Sequence, residues 1–154
     1  MYVLLPTKVS VVFYDRSVDR RTKLISLLTQ TKIHHCSIIL ERDGEIIELA
    51  SDKRHRAKFV DRAVIERLYP KTIATIDMGE ASVSIKQLTD FLKNPYIGDA
   101  RSLLFWYFIG RYLFPRLLPP SCALITCYLL RLCGFKVKNH IEPKTLYKEL
   151  KQCN

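Results

Sequence analysis

The stretch IHHCSIILERDGEIIELA, residues 33–50, decides how this chain folds. Ile33 to Leu40 is apolar, rich in β-branched residues, and reads as a strand. Asp43–Gly44 is a two-residue hairpin signal, because both positions of a type I′ turn need a positive φ. Glu45 to Ala50 is then the returning strand. Side chains alternate along a strand, so His35, Ser37 and Ile39 share one face. His34, Cys36, Ile38 and Leu40 take the other. A two-residue turn sets Glu48 opposite Ile39, on the face of His35. Asp52 falls opposite His35 itself if the pairing runs that far. Parity admits both acids as neighbours of the imidazole.

Working outward, Val9 to Tyr14 (VSVVFY) is another strand, and Asp15 to Arg21 turns the chain. Leu24, Ile25, Leu27 and Leu28 give Thr22 to Thr29 the pattern of a short amphipathic helix. Lys53 to Lys58 (KRHRAK) is a basic loop or strand edge, and Ile73 to Asp77 is a strand. Helices are expected over Ser84 to Lys93, Ser102 to Leu113, Ser121 to Cys133 and Lys144 to Lys151. Pro119–Pro120 separates the middle two, Gly134 closes the third and Pro143 opens the last. Strands followed by helices suggest the α+β class.

The helix after Ser121, CALITCYLLRLC, is apolar on nearly every side, which marks it as buried. Ser121 is a favoured N-cap residue, so Cys122 stands in the first turn. There the helix dipole and unpaired N–H groups favour a thiolate and can hold an oxyanion. Cys122 is therefore the candidate nucleophile, against the plainer reading of a small buried hydrophobe. His35 is the candidate base, since a histidine beside a reactive thiol is what deprotonates it. Glu48 or Asp52 would orient the ring. His34 and Cys36 share a face, but two ligands do not make a zinc site, and no metal or cofactor is expected.

Composition bounds the rest. The 154 residues, 48% apolar and 26% charged, fit one domain over 1–154 and exclude a disordered or collagen-like chain. Five cysteines, at 36, 122, 127, 133 and 153, are an odd number with no C-x-x-C pair, which argues for free thiols in a reducing compartment. The N-terminus has no basic flank and no cleavage site, so the expected location is the cytoplasm or a particle assembled there. The run from Ser102 to Pro120 is broken by Arg111, Pro115 and Arg116 and is too short a span for a membrane. A net charge of +10 favours an acidic partner: nucleic acid, an anionic membrane or an acidic protein. Lys53, Arg54, Arg56 and Lys58, with His55 among them, form the candidate contact.

These segments together resemble the circularly permuted papain-like (NlpC-type) superfamily, which includes relatives of lecithin retinol acyltransferase and bacterial amidases. The segment LISLLTQTKIHHCSIILERDGEIIELA is similar to the family's helix, loop and histidine hairpin, with His35 on the motif's histidine. PPSCALITCYLLRLCGF is similar to its nucleophile helix, with Cys122 twelve residues before the helix-ending Gly134. NPYIGDARSLLFW and IEPKTLYKEL resemble flanking segments, so the likeness covers roughly residues 8–50 and 94–150. The family's third residue falls twelve positions after the histidine. Ile47 stands there, and Glu48 matches with a turn one residue longer. Ala123 stands where a serine is common.

The resemblance implies a papain-like fold in permuted order, with a cysteine hydrolase acting on a peptide or amide bond through Cys122, His35 and an acid. Two other outcomes stay open. One is a lipid-directed thiol hydrolase or acyltransferase, favoured by the aromatic and basic stretch at 102–118. The other is a non-catalytic basic binding module on the same fold, favoured by the charge.

Overall fold

A computed structural model describes residues 4–15, 27, 31–51, 57–60, 62–93 and 121–153. Among the described residues five strands form one antiparallel sheet: β1 (Leu4–Tyr14), β2 (His35–Arg42), β3 (Glu45–Ser51), β4 (Ala57–Val60) and β5 (Thr72–Ser84), in the order β4-β3-β2-β1-β5. Four helices accompany it among the described residues: α1 (Arg62–Leu68), α2 (Ile85–Leu92), α3 (Cys122–Leu132) and α4 (Pro143–Cys153). The class is α+β.

The hairpin forms as its sequence directs. Asp43 and Gly44 adopt φ of 51° and 80°, the pair of positive values that a type I′ turn requires. Ile39 therefore faces Glu48, and Ile38 faces Leu49. On its other side β2 pairs with β1, placing Tyr14 opposite His35 and Phe13 opposite Cys36.

The alternation separates two faces. Val9, Val11, Phe13, Cys36, Ile38, Leu40 and Leu49 join the main core with Leu88 of α2, the inward side of α3, and Leu146 and Leu150 of α4. Phe13 meets the ring of Tyr147 edge-on, with centroids 5.1 Å apart. Each fully buried Leu or Phe here contributes roughly 1.5–3 kcal/mol of transfer free energy. The opposite face carries Val12 and Tyr14, covered by Ile65 of α1 with Ile39 and Tyr69 beside it. His35, Ser37 and Glu48 belong to this second face by register.

Helix α3 ends in a Schellman motif. Gly134 adopts φ 90°, its N–H donates to the Arg131 carbonyl at 2.9 Å, and the Phe135 N–H donates to the Leu130 carbonyl at 3.0 Å. A side chain at that φ would be strained, so glycine is required. No described helix is long and apolar enough to cross a membrane.

Several elements differ from the sequence reading. β1 starts at Leu4 rather than Val9, and β2 at His35 rather than Ile33. β5 runs from Thr72 to Ser84, well past Asp77. It passes Gly79 through a bulge: Val9 pairs with Gly79 and Ser10 with Asp77, which leaves Met78 as the extra residue. The Asp77 carboxylate accepts from the Gly79 N–H at 2.9 Å, so a glycine that looks like a strand end sits inside the ladder. α1 falls where no element was expected, and α4 runs Pro143–Cys153 rather than Lys144–Lys151. Lys58 lies on the edge strand β4, one of the two placements the sequence allows for it. The expected helices at Thr22–Thr29 (Leu27 apart) and Ser102–Leu113 lie outside the described residues, as do Asp52, Lys53, Arg54, His55 and Arg56.

Candidate active site

Cys122 opens α3. Ser121 before it is extended, with φ −141° and ψ 163°, and its Oγ accepts the Leu124 N–H at 3.1 Å. This is an N-cap in the ordinary sense: a side-chain oxygen satisfies a donor that the first turn leaves unpaired. Cys122 is partly exposed, whereas Cys127 and Cys133 further along the helix are buried. Burial pushes both of those thiols up to about 11. They remain protonated at neutral pH, in keeping with packing roles.

The start of β2 meets the start of α3. The neighbouring Cys36 thiol does most to hold the Cys122 thiol well below the usual cysteine range. Burial opposes the shift, while the charge and N–H of the nearby His35 ring and the backbone N–H of Cys36 reinforce it. Cys36 moves the opposite way: its burial, and then the Cys122 sulfur beside it, raise its own thiol well above the ordinary value. Thr126, one turn into α3, ties the two together. Its hydroxyl donates to the Cys122 carbonyl at 2.9 Å and lies 3.5 Å from Cys36 Sγ.

His35 is held from its other side by rings. It stacks on Tyr69 at 4.4 Å between centroids and 8° from parallel, with Tyr14 6.0 Å away. It is almost fully buried, and its Nε2 has no hydrogen-bond partner. A buried imidazole nitrogen left unpaired is costly unless it serves a purpose.

Glu48 is also buried, at 4% exposure. Its Oε1 accepts two short hydrogen bonds, from the Tyr14 hydroxyl and from Ser37 Oγ, each 2.5 Å. Ser37 and Tyr14 also touch, at 3.4 Å. Charge-assisted bonds of this kind are the means by which a carboxylate is kept inside a protein. Its Oε2 is buried without a partner. No hydrogen bond joins Glu48 to His35; the two share a face, and Tyr14 touches both.

The structure thus brings Cys122 and His35 together and places Glu48 on the ring's side of the sheet. Asp52, the other candidate acid, lies outside the described residues. His34 and Cys36 acquire no further ligands: among the described residues no group of three or more His, Cys, Asp or Glu side chains could hold a metal ion. Sequence reasoning missed the partners. Ser37 and Tyr14 follow from strand alternation and pairing, so a signal existed for them. Cys36 was assigned to the face opposite His35, and nothing in a strand pattern says that such a residue reaches a helix N-terminus. Tyr69 comes from a segment with no recognisable motif. No family model matches the chain, and neither a curated protein nor a solved structure matches it.

Proposed function

We propose that this chain is a cysteine hydrolase that cleaves an amide or peptide-type bond through an acyl-enzyme on Cys122, built on a permuted papain-like arrangement. The observation that carries the reading is the partly exposed Cys122 at a helix N-terminus, beside an imidazole and below the usual thiol range. A structural cysteine in an apolar core goes the other way, as Cys127 and Cys133 do.

In this mechanism His35 takes the Cys122 proton, giving a thiolate–imidazolium pair. The sulfur attacks the carbonyl carbon, and the carbonyl π electrons move to oxygen. In this reading the first-turn N–H groups of α3 stabilise the oxyanion. Collapse of the tetrahedral adduct breaks the carbon–nitrogen bond, and His35 delivers its proton to the departing amine. His35 next removes a proton from water, the hydroxide attacks the thioester, and the carboxylic acid leaves as the thiolate re-forms. Glu48, kept in place by Tyr14 and Ser37, is the proposed third member on the same side of the sheet. Tyr69 holds the ring plane.

The test is an acyl trap. The protein is incubated with a panel of N-acyl peptide p-nitroanilides, quenched in acid and mapped by mass spectrometry. The reading expects an acyl adduct on Cys122, and neither adduct nor nitroaniline release from Cys122→Ser. Absence of adduct and turnover across the panel, with Cys122 alkylating like an ordinary thiol, would overturn it.

A further inference from the structure

We propose that Cys36 is the resolving thiol of Cys122, so that oxidation of Cys122 by a hydroperoxide ends in a reversible Cys36–Cys122 disulfide. The inference goes beyond the hydrolase reading and rests on it for one point, the reactivity of the Cys122 thiolate.

The geometry assigns different roles to the two sulfurs. Cys122 is partly exposed and Cys36 is fully buried, so a dissolved oxidant meets Cys122 first. Cys36 Sγ lies 3.5 Å from Thr126 Oγ1, which in turn donates to the Cys122 carbonyl at 2.9 Å, so one side chain spans the two cysteines. Cysteines spanned by one side chain are neighbours, the first condition for a cross-link. The contact is fixed from both elements: Cys36 is the second residue of β2, paired with Phe13, and Thr126 of α3 touches its sulfur.

The chemistry proceeds in two balanced steps. The Cys122 thiolate attacks the peroxide oxygen, the O–O bond breaks, and the products are the Cys122 sulfenic acid and hydroxide, or an alkoxide from an organic peroxide. The sulfur is oxidised and the peroxide reduced by two electrons. The Cys36 sulfur then attacks the Cys122 sulfur and displaces the hydroxyl group. The thiol proton leaves with it as water. Cys36 is kept protonated first by burial and then by the negative sulfur next to it. A neutral sulfenic acid at Cys122 removes that second cause, so the first step prepares the second. A thiol reductant reverses the bond by exchange. The other cysteines are poor substitutes: Cys127 and Cys133 are buried thiols raised to about 11, and Cys153 is exposed on the last turn of α4.

The experiment treats the intact protein with hydrogen peroxide, in the presence and absence of dimedone, and maps the peptides without reduction. Wild type is expected to lose two hydrogens, to yield one linked Cys36–Cys122 peptide, and to regain iodoacetamide reactivity at Cys122 after dithiothreitol. Cys36→Ser is expected to accumulate the dimedone adduct and then the irreversible sulfinic acid at Cys122. The linkage in wild type needs no variant to fold. Sulfenic or sulfinic acid at Cys122 with Cys36 still reduced, or a linkage through Cys127, overturns the inference and leaves the hydrolase reading standing. A Cys122 that resists both peroxide and mildly acidic alkylation overturns both.

Discussion

Cys36 neighbours Cys122 across the Thr126 hydroxyl, so one cysteine of a strand favours the thiolate of another at a helix N-terminus. The relationship divides two identical side chains into a thiol more acidic than usual and one less acidic. Cys36→Ala removes the neighbouring thiol with little change in volume. The expected outcome is a Cys122 whose alkylation rate rises at higher pH than in wild type, with the fold retained by circular dichroism. An unchanged pH profile would show that the helix and His35 suffice.

Tyr69 fixes the plane of His35 by stacking. An aromatic pair of this kind is worth about 0.5–1.5 kcal/mol beyond its buried area. Tyr69→Leu should lower stability by an amount of that order and move the Cys122 alkylation profile toward that of His35→Ala. Tyr69→Phe keeps the ring and should restore the profile. A stability loss without any change in thiol reactivity would make Tyr69 a packing residue only.

Glu48 depends on two donors. Removing Ser37 Oγ or the Tyr14 hydroxyl leaves a buried carboxylate with one bond fewer, which costs about 1–3 kcal/mol. Both donors serve the same oxygen and touch each other, so Ser37→Ala and Tyr14→Phe should be non-additive in a urea-denaturation cycle. Simple addition of the two losses would argue against a shared network.

The N-cap of α3 makes a separate contribution. Ser121→Ala leaves the Leu124 N–H without its acceptor, and cap losses of this type cost about 1 kcal/mol. Ser121→Asp restores an acceptor but adds a negative charge beside Cys122, which should raise the thiol's pH of reaction while recovering stability. That separation is measurable on the same samples.

Acid sensitivity has a source far from the site. Partial burial pushes the Glu149 carboxyl up, but hydrogen bonds from the His140 ring and the Lys138 N–H outweigh it and bring the group below its ordinary value. A carboxyl lowered in the folded state adds stability above its unfolded value of about 4.3 and loses it as pH falls through the folded one. Urea midpoints should therefore decline over that acid window, and Glu149→Gln should flatten this part of the decline. An identical slope in the variant would place the acid sensitivity elsewhere.

Much of the scaffold was legible because local chemistry and tertiary structure agree. Asp43–Gly44 admits the turn it forms, alternation assigns Ser37 and Glu48 to one face, and Ser121 and Gly134 cap α3 at both ends. The sequence pattern carries β5 only from Ile73 to Asp77, and its continuation past Gly79 depends on the bulge opposite Val9. α1 is seven residues long with Ile65 buried, too brief for a periodic signal. The Cys122–His35 pairing was legible from residue types and positions. The Cys36 contact and the Tyr69 stack were not, because both depend on how a strand end, a helix start and a distant ring meet in space.

The central claim is that Cys122 is a thiolate made by its neighbours. The direct measurement is the iodoacetamide alkylation rate at each cysteine from about pH 4 to pH 9, mapped by mass spectrometry, in wild type and His35→Ala. The account predicts a Cys122 that reacts well below the ordinary thiol value of ~8.5 and shifts upward in His35→Ala, while Cys127 and Cys133 stay unreactive. A Cys122 that is inert, or that titrates like a free thiol in both proteins, would contradict it.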